Sequence, residues 1–162
     1  MPTNKVFEAC VLSRLLYGLQ VLWLGQASRR KLDGFHARCV RKIVGVSPLY
    51  YSRVSNEEVL GMIDAPKLSA TLLERQLGYL GTLARRPATC PVRKLVFRED
   101  LSMQPLDVPR RRGRPKLEWV SEVFKVVASI FGTHADFCHC VANADAWWTC
   151  IRSFCRAHPR RT

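Results

Sequence analysis

From Pro66 to Arg86 the chain reads PKLSATLLERQLGYLGTLARR. Leu68, Leu72, Leu73, Leu77, Leu80 and Leu83 recur at three- and four-residue spacing, the signature of one broad face of an α-helix. Pro66 suits a helix start, where its missing N–H leaves no hydrogen bond unmade, and Pro87 bars continuation. The spacing predicts a helix from Pro66 to about Arg85 whose apolar face other helices must cover.

Upstream, Ser55-Asn56-Glu57-Glu58 is a capping box that opens a short helix ended by Gly61. Before it, Leu32, Phe35, Cys39, Val40 and Ile43 form a helical stripe, with Ser28 as the expected cap of a helix from Arg29 to Val44 and Gly45 as its stop. Pro48 biases Ser47 away from the helical region, so an irregular stretch through Tyr50 and Tyr51 is expected. The first predicted helix runs from about Asn4 to Trp23. Its apolar face is read as Phe7, Cys10, Val11, Leu15 and Leu22, with Gly18 marking a bend or a close contact.

Downstream, Pro87, Pro91, Pro105 and Pro109 predict an irregular linker or arm. Arg110-Arg111-Arg112-Gly113-Arg114-Pro115 reads as an exposed basic turn, with Pro115 starting a helix that buries Trp119, Val120, Val123, Phe124, Val127 and Phe131. Thr133 with Asp136, and then Asn143, mark two further helix starts. Trp147, Trp148, Ile151 and Phe154 face inward on the last helix. No strand is predicted. The expected fold is mainly α: an N-terminal bundle of about four helices over residues 1–86, a Pro-rich connector over 87–109, and a small C-terminal helical unit over 110–162.

Charge narrows the function. The chain has 26 Lys and Arg against 13 Asp and Glu, a formal net charge of +13. Such a surplus favours polyanionic partners, RNA or DNA first and an anionic membrane face second. The apolar run from Leu15 to Leu24 is too short and too interrupted to span a bilayer, and Glu8 and Arg14 fit a signal peptide poorly, so an intracellular place, nucleus or cytoplasm, is expected with no membrane partner.

Seven cysteines stand at 10, 39, 90, 138, 140, 150 and 155. The odd total argues against a disulfide framework. Cys10 and Cys39 are read as small buried hydrophobes. Cys138, His139, Cys140, Cys150, Cys155 and His158 have no finger or knuckle spacing, so core cysteines are expected rather than a zinc site. No cofactor is expected.

Several segments taken together resemble one family. Leu15-Leu16-Tyr17-Gly18 followed by Trp23 is similar to the segment after the polymerase core of LINE-type, non-long-terminal-repeat retrotransposon reverse transcriptases. Phe35 to Val46, Ser55 to Leu60, Arg75 to Gly81, Arg111 to Pro115 with Trp119, and Ala144 to Trp148 resemble later family segments in the same order. The resemblance runs from about Asn4 to Arg156. It implies the thumb-like and C-terminal part of such a polyprotein, whose full-length members are RNA-directed DNA polymerases. The family's paired catalytic aspartates have no counterpart, since the sequence contains no Asp-Asp pair. The His that often follows the glycine matching Gly81 is Thr82 here. Residues Ile130 to Val141 match no family segment.

The candidate contacts are drawn from clustered cations. Arg110, Arg111, Arg112, Arg114 and Lys116 are the first choice, and Arg112-Gly113-Arg114-Pro115 resembles the core of an AT-hook. The polar side of the second helix offers Arg38, Arg41 and Lys42 as a phosphate-tracking face. Arg75, Arg85 and Arg86 add charge beside Tyr79. No catalytic residue is expected: Glu57 and Glu58 belong to the capping box, Glu99-Asp100 is a lone pair in a loop, and the four histidines form no motif. The expected function is a non-catalytic nucleic-acid-binding fragment. The rival readings are a retrotransposon remnant without activity and a truncated piece of a longer active polymerase.

Overall fold

The computed structural model describes residues 2–104 and 118–157, with side chains from residue 5 onward. The fold is mainly helical. Among the described residues there is no strand, only an isolated antiparallel bridge between Phe97 and Met103.

The chain opens with α1 (Pro2–Phe7), a π-helical segment (Glu8–Leu12) and α2 (Ser13–Leu15) in one run. It breaks earlier than expected. Gly18 takes φ +74°, which an L side chain adopts only with strain, and a short 3-10 turn (Leu19–Val21) comes next. The buried face also differs from the expected one. Leu12, Leu15, Leu16 and Leu19 pack on Leu68 and Leu72, whereas Cys10, Val11 and Leu22 are exposed. The π-turn explains this, because its extra residue rotates the downstream side chains about the helix axis and moves the apolar stripe.

Next comes α3 (Gln26–Val44), capped at Gly25 rather than at Ser28. Arg29 fixes the early start. Its Nε donates to the Leu24 carbonyl at 3.1 Å and its guanidinium lies 4.3 Å over the Trp23 ring, so the entering chain folds back on the first turn. Gly45 closes the helix at φ +78°, as its sequence position predicts.

A turn expected to be irregular is the short helix α4 (Leu49–Ser52). α5 (Asn56–Gly61) begins with both halves of the predicted capping box: Ser55 Oγ accepts from the Glu58 N–H at 3.1 Å, and the Ser55 N–H donates to the Glu58 carboxylate at 2.7 Å.

The leucine helix is α6 (Leu68–Ala84), and the six leucines read from its spacing are all fully buried. Each such burial contributes about 1.5–3 kcal/mol. Its start is capped from another helix: Asp33 of α3 accepts from the Ser69 N–H at 2.8 Å and from the Ser69 hydroxyl at 2.7 Å. A carboxylate there offsets the positive end of the helix dipole.

The connector is not an irregular arm over its described part. It forms α7 (Pro91–Val96) and a tight loop, with the Gln104 N–H donating to the Val96 carbonyl at 2.9 Å. Asp100 is a loop residue, its carboxylate accepting from the Ser102 N–H at 2.9 Å. Phe97, 3% exposed, enters the core and meets Phe124 at 5.5 Å and Phe137 at 6.4 Å between centroids.

The C-terminal helices are α8 (Trp119–Phe131), α9 (His134–Ala142) and α10 (Ala144–Ala157). The expected helix start at Pro115 lies outside the described residues. Thr133 caps α9 and the Asn143 side chain caps α10, as predicted. These helices do not form a unit apart from the bundle. Leu73, Leu77 and Leu80 of α6 share one core with Val123, Phe137, Trp147 and Ile151. α6 is buried nearly all round, more than one partner layer can cover, and both halves of the chain pack on it.

Candidate nucleic-acid interface

The cations of α3 divide by face. Arg30, Lys31, Arg38 and Lys42 are exposed, whereas Arg29 and Arg41 are buried at 7% and 5%. At about 100° per residue, Lys31, Arg38 and Lys42 fall within about 40° of one another and make a single outward row. Among the described residues, ion pairs engage Lys67, Lys125 and Arg152 with Glu57, Glu122 and Glu74, and none involves that outward row.

Arg41 corrects the expected site. It is not a phosphate contact, because its guanidinium is turned inward and filled. Nη1 donates to the Ser47 carbonyl at 3.1 Å and to Ser52 Oγ at 3.4 Å, and Nη2 donates to the Val54 carbonyl and to Asn56 Oδ1. Five donors spread over a fixed plane can reach these four separated acceptors, whereas a lysine offers three from a single nitrogen. This one side chain holds the segment from Ser47 to Asn56 against the end of α3.

The remaining predicted contacts separate similarly. Arg75 and Arg86 are exposed. Arg85 is half-buried and donates to the Val141 carbonyl at 3.2 Å, beside the last turn of α9, so it ties α6 to α9. Among the described residues, no hydrogen bond or ion pair joins Arg75 or Arg86 to the row on α3. Tyr79 packs edge-on against Trp119 at 5.8 Å, as a core-side aromatic. Arg110, Arg111, Arg112, Arg114 and Lys116 lie outside the described residues.

Sequence reasoning missed a pair of exposed rings in the segment after α3. Tyr50 and Tyr51 are 87% and 77% exposed, with ring centroids 5.3 Å apart and planes nearly perpendicular. Arg53, also exposed, closes α4 at φ +54°. The paired tyrosines in a stretch without acids were the available signal.

Cys138, Cys140, Cys150 and Cys155 lie in or against the core of the C-terminal helices, whereas Cys10, expected to be buried, is exposed. Cys140 Sγ lies 3.3 Å from Cys150 Sγ, and burial, reinforced by that contact, pushes the Cys140 thiol up to about 11. Burial, then the charge of Glu74, pushes Cys155 up to about 11 as well. Cys138 stands 3.6 Å from the His134 ring. Among the described residues, no three His, Cys, Asp or Glu side chains are grouped to hold a metal ion, and His158 lies outside them. No described helix is long and apolar enough to cross a membrane. Compared with protein-family models, with curated proteins and with solved structures, the chain matches none.

Proposed function

We propose that this chain is a non-catalytic nucleic-acid-binding fragment that acts on RNA or DNA inside the cell, in the nucleus or cytoplasm, in the manner of the reverse-transcriptase accessory region its sequence resembles. One observation carries the reading: the cations of α3 are sorted by role. Arg29 and Arg41 are turned inward, onto the Leu24 carbonyl and the Trp23 ring and onto the acceptors at 47–56, while Lys31, Arg38 and Lys42 form an outward row with no ion-pair partner among the described residues. From Gly34 to Asn56 the sequence contains no acid. Attraction to a phosphate backbone needs only clustered, unneutralised cations. The basic turn at Arg110 to Lys116 adds a second such cluster in sequence.

Catalysis is assigned elsewhere in this reading, because the paired aspartates that hold magnesium in the resembling polymerases have no counterpart in the sequence. The test is a pair of assays on the purified chain. Labelled RNA and DNA are expected to bind with an affinity that falls steeply as salt rises, and a primed template is expected to show no extension with magnesium or manganese. Salt-independent or absent binding contradicts the reading, as does extension above a mock purification.

A further inference from the structure

We propose that Tyr50 and Tyr51 form a base-stacking platform for single-stranded nucleic acid, with Lys42, Arg38 and Arg53 holding the adjoining phosphates; this deepens the function proposed above and rests on it. The two rings are the most exposed aromatic pair among the described residues, at 87% and 77%. Their planes stand 86° apart, so they present faces in two directions. Two uncovered π-faces on adjacent residues cost hydration free energy that a core position would recover. Stacking bases would recover it, and stacking tolerates any base because every base has a π-face.

The platform is built rather than floppy. Arg41 ties down the segment on both sides of the tyrosines, through the Ser47 carbonyl before them and Ser52 Oγ and the Val54 carbonyl after them. Ser52 Oγ donates in turn to the Ser47 carbonyl at 3.0 Å. The anchor therefore ties the segment that carries α4 to the last turn of α3, the helix on which Lys42 and, one turn earlier, Arg38 are exposed. Arg53 comes directly after α4, in a left-handed backbone conformation that a glycine would occupy with less strain. An arginine stands there, exposed and in no ion pair among the described residues, and supplies a cation two residues after Tyr51.

Charge selects the partner. From Gly34 to Asn56 the chain carries Arg38, Lys42, Arg53 and the tyrosine pair and no acid. Duplex bases are already stacked on each other and offer the protein only edges and phosphates, whereas single-stranded bases can splay out onto aromatic rings.

The test compares the parent chain with Tyr50→Ala/Tyr51→Ala and Tyr50→Phe/Tyr51→Phe. The probes are labelled oligouridylate and oligothymidylate of roughly 20 nucleotides, longer than a typical single-strand site, and a mixed-sequence duplex of the same length. The alanine pair is expected to lose about tenfold or more in affinity for the single strands, from stacking free energies of about 1–3 kcal/mol per base. Its salt slope, its duplex affinity and its helicity should stay as in the parent. The phenylalanine pair, which keeps the π-faces, should bind single strands like the parent. Unchanged single-strand affinity in the alanine pair overturns the platform while leaving phosphate binding intact. An equal loss for duplex and single strand overturns it too. Loss of self-association with unchanged nucleic-acid binding would assign the tyrosines to a protein contact. A parent chain that binds neither probe overturns both the platform and the nucleic-acid-binding function on which it rests.

Discussion

The indole of Trp147 occupies the space where a side chain on Gly81 would be. A Cβ built on Gly81 would meet Trp147 Nε1 at 2.2 Å, and that same nitrogen donates to the Leu77 carbonyl at 3.2 Å. The bare helix surface lets the ring reach a carbonyl inside α6 and satisfies its only polar atom. One turn earlier, Gly78 plays the same part for Trp148, 2.2 Å from Cη2. The glycines of α6 and the tryptophans of α10 are thus one contact.

Gly81→Ala is therefore expected to destabilise the fold, although alanine favours a helix by about 1 kcal/mol over glycine. Trp147 is fully buried and has nowhere to go. Overpacking costs about 1–3 kcal/mol, and the net loss of up to about 2 kcal/mol should lower Tm by up to about 8 °C. Gly78→Ala should cost less, since Trp148 is only half-buried and its ring can shift. Thermal melts of the two variants check this; a rise in Tm for Gly81→Ala would contradict the contact.

Much of this fold is legible in the sequence. The six leucines of α6 stand out because burial on one helix imposes a period, and the caps at Ser55, Thr133 and Asn143 because capping is a local bond between near neighbours. What is not legible depends on distant residues. Arg41 sits beside Lys42 and looks equally polar, yet its acceptors lie at 47–56, on segments that only the tertiary fold brings back to α3. Phe97 stands among prolines that predict a loop, and only the aromatic cluster of α8 and α9 draws it inward. Gly78 and Gly81 could be named, but nothing local says that two tryptophans will cover them.

Arg41→Lys separates charge from geometry. It keeps the cation but cannot serve the acceptors at Ser47, Ser52, Val54 and Asn56 together. A hydrogen bond from a charged donor contributes about 1.5–3 kcal/mol, and lysine keeps only part of the set, so a loss of about 2–4 kcal/mol is expected in a urea titration. Arg38→Lys, at an exposed position, should change stability by less than about 0.5 kcal/mol. Equal stability of the two variants would remove Arg41 from its structural role.

His36 is 4% exposed and stacked on Phe7 with ring centroids 6.1 Å apart. Burial pushes its pKa down, only partly opposed by Asp33 and Glu8. The unfolded chain then binds more protons than the folded one as pH falls below about 6.5. The stability this group contributes is complete above that pH and lost as pH falls toward the depressed folded value. Urea midpoints between pH 7.5 and 5 should fall, and His36→Phe, which keeps the stack, should flatten part of that slope. An unchanged slope would show that His36 is not held neutral.

The cysteines should react in a defined order. The backbone N–H of Arg93, at the start of α7, and the Arg86 guanidinium hold the Cys90 thiol below its ordinary value. Cys140 and Cys155 are pushed up to about 11 by burial. Since the thiolate is the nucleophile, iodoacetamide at pH 8 should modify Cys90 well before Cys140 or Cys155 in the folded chain, as read by peptide mass mapping. Faster labelling of Cys140 would contradict the packing of α9 on α10.

The salt dependence of duplex binding tests the central claim most directly. Each phosphate contact made by a cation contributes about −0.9 to the slope of log affinity against log salt. Replacing Arg110, Arg111, Arg112, Arg114 and Lys116 by Ala should weaken binding and flatten the slope by about 4 to 5. Arg38→Ala/Lys42→Ala should flatten it by about 2 at most, and Arg41→Lys should leave it unchanged in the folded protein. Slopes and affinities identical to the parent in both alanine variants would contradict a nucleic-acid-binding function built on these cations.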